Sequence, residues 1–162
     1  MSYIFKDNLK NYINDNLIVE NNSVFKSICF SAPICEEREC SSIDDYIENN
    51  KNDNKFQKLL FEYIDERGLK DSDVYNKVNI DRRLFSKIRS NENYHPSKET
   101  IILLGISLEL NINELQKLLE SASYSLPKNN KYDLIIRYCF ENKIYNIDDI
   151  NEALYDYGFN TL

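Results

Sequence analysis

Hydrophobic and polar positions alternate along this chain with the period of a helix. Residues 3–18 place Ile4, Phe5, Leu9, Tyr12, Ile13 and Leu17 at three- and four-residue spacing, which predicts one amphipathic helix. The stretch VFKSICF at 24–30 predicts a short strand or a buried turn. Residues 31–54 carry Pro33, acidic runs and NNKNDN, and read as a linker or loosely ordered arm with a short helix at about 42–49. A domain boundary near residue 54 follows, giving an acidic N-terminal arm over 1–54 and a helical domain over 55–162.

Helical signals are dense beyond that boundary. Phe56, Leu59, Leu60, Tyr63 and Ile64 form one apolar stripe, and Gly68 stops it. Asp71 is the expected cap of a second helix over 71–78, with Val74 and Val78 facing inward. Asn79 tolerates a left-handed turn. Asp81 is expected to cap a third helix, 81–89, whose apolar residues are Leu84, Phe85 and Ile88. Ser97 opens a fourth helix reaching Leu108, and Asn111 or Asn113 a fifth with Leu115, Leu118 and Leu119. Two more are predicted at about 130–142 and 147–157, the last capped by Asn146 and ended by Gly158.

Composition supports this picture. The chain has 162 residues, 42% of them hydrophobic, enough for a packed core. Only three Gly and three Pro are present, too few for the turns of an all-β fold. No run of about 18 apolar residues suggests a membrane span. The N-terminus lacks the basic start and apolar stretch of a secretory signal, so a cytoplasmic location is expected. Cys29, Cys35, Cys40 and Cys139 do not fall in Cys-x-x-Cys pairs, so no metal site is expected and the thiols read as reduced and ordinary.

Net charge is −7, but it is unevenly spread. Residues 1–54 hold 5 basic and 10 acidic side chains, whereas 67–100 hold 8 basic and 5 acidic. Within that basic block Arg82, Arg83, Lys87 and Arg89 fall in eight residues, the kind of local patch that phosphate attraction requires.

The second and third helices of the 55–162 region, joined by Val78-Asn79-Ile80-Asp81, resemble the helix-turn-helix of the Cro/C1 repressor-like family. The matching positions are Val74 and Val78, Asn79 at the turn where the family often has Gly, Ile80 after it, then Phe85 and Ile88. A closer similarity is to a C-terminal helix-turn-helix module found behind macro or von Willebrand A-type domains in bacterial proteins. It spans about residues 56–157 and is most specific at Asp81-Arg82-Arg83-Leu84-Phe85-Ser86-Lys87-Ile88-Arg89-Ser90-Asn91. The resemblance implies an all-α fold, a lambda-repressor-like five-helix core with a C-terminal two-helix extension and an N-terminal helical arm. It does not settle what the fold binds; the leading expectation, from the basic helix, is a small bacterial or phage regulator that binds double-stranded DNA.

Under that reading Arg82, Arg83, Ser86, Lys87 and Arg89 meet the duplex, with Lys77, Ser97 and Lys98 adding backbone contacts. Three residues pull the other way. Asp71 stands where the family usually holds a phosphate with Gln, Tyr75 where it has a small Ala, and Leu84 where a groove-reading residue is often polar. The alternative is an adaptor that recognises a protein partner with the same helix, since Arg and Tyr are favoured interface anchors. The apolar helix 3–18 either completes a monomeric core or supports a homodimer.

Catalytic signals are weak. His95 is the lone histidine, with no Ser or Cys at motif spacing to form a nucleophile–base pair. Asp44-Asp45 and Asp148-Asp149 stand at predicted helix starts, where carboxylates offset the helix dipole. Gly68, Gly105 and Gly158 are too scattered for a phosphate loop. No enzymatic activity, cofactor or small-molecule substrate is expected.

Overall fold

The computed structural model describes residues 3–18, 55–91 and 94–162. Among them are eight helices and no strand: α1 Tyr3–Asn16, α2 Lys55–Glu66, α3 Asp71–Lys77, α4 Arg82–Ser90, α5 Lys98–Ser107, α6 Ile112–Ser121, α7 Lys131–Glu141 and α8 Ile147–Asp156. The fold is all-α. The expected strand or turn at 24–30 and helix at 42–49 lie outside the described residues.

Helix starts follow from side-chain caps. Asp81, Ser97, Asn111, Asn130 and Asn146 each accept a hydrogen bond from a backbone N–H of the first turn they precede. At α6 the cap is reciprocal, because Glu114 Oε2 also accepts from the Asn111 N–H at 2.8 Å. One expected cap is corrected. Asp71 is the first residue inside α3, and the cap position belongs to Lys70, whose backbone N–H donates to Asp73. The Asp71 carboxylate is engaged elsewhere, as described below.

Helix ends share one device. After α2, α3, α5, α6, α7 and α8 the chain turns through a left-handed residue: Gly68, Asn79, Glu109, Ser123, Lys143 and Gly158. In each case the next residue returns a backbone N–H to the carbonyl five positions earlier, as Ile80 does to Tyr75 at 2.9 Å and Leu110 to Gly105 at 3.0 Å. That next residue is always apolar, and Ile80, Leu110, Tyr124, Ile144 and Phe159 pack back against the core, whereas Leu69 stays exposed.

Helix α5 lies at the centre, with Ile101, Ile102, Leu104, Gly105, Ile106 and Ser107 all buried. It packs on α3 and α6, while α2 packs on α6 and α7 on α6 and α8. Gly105 permits the closest approach: a Cβ there would lie 2.8 Å from Leu115 Cδ1 and 3.3 Å from the Phe140 ring. Each buried Leu, Ile or Phe contributes roughly 1.5–3 kcal/mol, so this apolar cluster is the main stabilising term.

The helix assigned to an N-terminal arm belongs to the same compact unit as the described residues from Lys55 onward. It packs on α7, with Leu9 and Ile13 each 2% exposed and Phe5 and Tyr12 edge-on to Tyr138. Lys6 pairs with Glu152 and Asp156 of α8 at 2.8 and 2.7 Å. The apolar stripe of α1 is thus spent inside the unit. No described helix is long and apolar enough to cross a membrane.

Candidate nucleic-acid interface

Helices α3 and α4 are joined by a tight turn. Asn79 has φ +54°, and Asp81 Oδ1 accepts from the Arg83 N–H at 2.6 Å to start α4. Val74, Val78, Ile80, Phe85 and Ile88 are buried and hold the two helices against the core. Phe85 meets Tyr75 and Phe61 at ring-centroid distances of 5.6 and 6.3 Å. The buried Ser107 hydroxyl donates to the Val74 carbonyl at 2.6 Å, fastening α3 to α5. With those residues inward, Arg82, Arg83, Ser86, Lys87 and Arg89 face solvent on α4.

The eight residues singled out in the sequence divide into two sets. Arg82 and Arg83 are exposed, and neither side chain forms an ion pair among the described residues. Lys87 holds its ammonium 4.4 Å over the Tyr94 ring, a contact that leaves its charge unneutralised. Ser86 lies between these cations on the same exposed face. Arg89 is different: its Nη2 is 2.6 Å from Asp71 Oδ1, and its guanidinium lies 4.2 Å over Phe61.

The remaining three are occupied. Lys77 pairs with Glu109 at 2.6 Å, and the Ser97 hydroxyl caps α5. Lys98, expected to contact a backbone phosphate, instead directs its ammonium to Asp133, which is 1% exposed, at 2.5 Å. A carboxylate that deep needs a cation, and Lys98 is the one that serves it. Arg67, in the same basic block, is paired with Glu114 at 3.0 Å.

Between α3 and α4 runs a cleft of about 390 Å³, walled by Asp71, Ser72 and Tyr75 on one side and Arg82, Ser86 and Arg89 on the other. Two residues that shape this face escaped the sequence reading. Gln57 donates its amide to the carbonyls of Ile88 and Arg89, and Phe61 carries the Arg89 guanidinium. Their four-residue spacing on α2, which puts both on one face, was the available signal.

Among the described residues the other candidate groups have local partners; Cys29, Cys35, Cys40, Asp44 and Asp45 lie outside them. His95 Nε2 meets the Ala122 carbonyl at 2.7 Å and its ring lies against Tyr124. Burial pushes the Cys139 thiol up to about 12, with Asp149 adding to the effect, so the reactive thiolate is suppressed. Asp148 and Asp149 stand in the first turn of α8, where their N–H groups donate to Asn146. No family model, no curated protein and no solved structure matches this chain.

Proposed function

We propose that the protein is a non-enzymatic DNA-binding protein that presents α4, the second helix of a helix-turn-helix, to the major groove of duplex DNA. One observation carries this reading. In a chain of net charge −7, Arg82, Arg83 and Lys87 share one exposed helix face with no carboxylate paired to them among the described residues, while Arg67, Lys77, Arg89 and Lys98 of the same basic block are paired and Lys70, on the cleft rim, adds a further cation without an ion pair among those residues. Cations unpaired on the outward face of a short helix are suited to phosphate oxygens and guanine edges. Ser86 between them adds an exposed hydroxyl close to the helix backbone.

The test is duplex binding as a function of salt. Three phosphate contacts give a log–log slope of about −2.7, so affinity drops about 40-fold between 50 and 200 mM salt. Arg83→Glu and Lys87→Glu are each expected to abolish binding. The second reading, a protein adaptor, draws on the α3–α4 cleft, where the half-buried Tyr75 offers aromatic surface beside Arg82 and Arg89. Absence of duplex binding at 50 mM salt overturns the DNA reading and leaves the adaptor.

A further inference from the structure

Asp71 opens α3 on the rim of the cleft beside α4. Its carboxylate accepts from Arg89 Nη2 at 2.6 Å, with the two side chains 35% and 53% exposed. A pair this exposed is well screened and adds little to fold stability. Its effect on an approaching polyanion is larger. A carboxylate and a phosphodiester offer a guanidinium the same kind of paired oxygen acceptors, and an Arg seated on one is less available to the other. Arg89 is also well placed to remain seated: Phe61 lies 4.2 Å beneath the guanidinium, and Gln57 holds the backbone carbonyl of Arg89 itself.

Resting on the DNA reading above, we infer that Asp71 is an internal competitor for Arg89 that limits sequence-independent affinity for duplex DNA. The basic face of α4 therefore works with three free cations rather than four, and Asp71 adds a negative charge beside them. Non-specific binding grows with each phosphate neutralised, so a residue that withholds one cation reduces attachment to every sequence alike while leaving the contacts of Arg82, Arg83 and Ser86 in place.

The experiment is a salt titration of the full chain, Asp71→Asn, Arg89→Gln and the double variant against a random-sequence duplex of about 20 base pairs, read by fluorescence anisotropy. Asp71→Asn is expected to bind more tightly than the unaltered protein, with a log–log slope steeper by about 1, so its advantage shrinks about 3- to 4-fold between 50 and 200 mM salt. The double variant is expected to lose that steepening. Helical circular dichroism confirms that each variant is folded, and Asp71→Ser replaces Asp71→Asn should the latter unfold. An unchanged or shallower slope in the single variant overturns the inference while the DNA reading stands. Steepening that persists without Arg89 also overturns it, since the effect is then the bare charge of Asp71. Failure of both the unaltered protein and Asp71→Asn to bind at 50 mM salt removes the DNA reading and this inference with it.

Discussion

Gln57 donates its side-chain amide to the carbonyl oxygens of both Ile88 and Arg89, at 2.9 and 2.5 Å. These carbonyls belong to the last turn of α4, where the helix has no backbone donors of its own to offer. One side chain on α2 thereby stabilises the end of the helix that carries the basic face. Gln57→Ala is expected to cost about 1–2 kcal/mol, two hydrogen bonds at about 1 kcal/mol each. Urea unfolding measures this, and faster amide exchange confined to the C-terminal turn of α4 locates it. A variant as stable as the parent removes Gln57 from this role.

Lys98 and Asp133 form the most deeply buried ion pair among the described residues, with Asp133 1% and Lys98 22% exposed. Asn130 Nδ2 is the carboxylate's other side-chain donor, at 2.7 Å. Lys98→Met strands the carboxylate and is expected to cost about 3–5 kcal/mol, whereas Lys98→Met with Asp133→Leu recovers part of that loss. Denaturant midpoints of the two variants decide the matter; a double variant less stable than the single one contradicts it.

Asn79 and Lys143 both occupy the left-handed region, at φ +54° and +55°. A side chain there costs roughly 1–2 kcal/mol, less for Asn, whose short amide tolerates the turn. Asn79→Ala should therefore lower stability by about 1 kcal/mol, while Lys143→Gly should raise it by up to about 1 kcal/mol. Thermal melts showing the reverse order would mean the turns relax when substituted.

Gly105 leaves no room for a methyl group, since its Cβ would lie 2.8 Å from Leu115 Cδ1. Leu115 is itself fully buried. Gly105→Ala is expected to destabilise by about 1–3 kcal/mol despite the better helix propensity of Ala. A stabilised Gly105→Ala protein, measured by urea unfolding, would show that α5 and α6 can separate at little cost.

Alkaline pH should weaken the fold. Burial, with Asp149 second, raises Cys139 to about 12, and burial, with the Glu141 hydrogen bond second, raises Tyr12 to about 12. In the unfolded chain a thiol ionises near 8.5 and a phenol near 10. Between those values and about 12 the unfolded state has released protons that the native state retains. Stability is therefore fully present below about pH 8.5 and declines above it, by at most about 1.4 kcal/mol per pH unit per group. Cys139→Ala should flatten the part of the decline between pH 8.5 and 10, which unfolding free energies at stepped pH will register.

Most helices and most of their caps were legible in the sequence because their causes are local. Asp81, Ser97, Asn111 and Asn146 bond N–H groups two or three residues ahead, and apolar spacing marks the face that goes inward. Gly68 and Asn79 announced their turns by residue type. Glu109, Ser123 and Lys143 did not, because nothing in an isolated Glu, Ser or Lys signals a left-handed backbone. The apolar residue that follows each one supplies the reason.

The sequence by itself thus determined an all-α fold beyond residue 54 and one basic helix face within it, since helix periodicity and capping act over a few residues. Only the tertiary structure decided which cations stay free. The partners of Arg89, Lys77 and Lys98 lie 18, 32 and 35 residues away. It also decided that α1 belongs to the same compact unit as the helices from Lys55 onward. Ion pairing depends on separations of a few ångströms, and the chain brings such distant residues together only once its helices have packed.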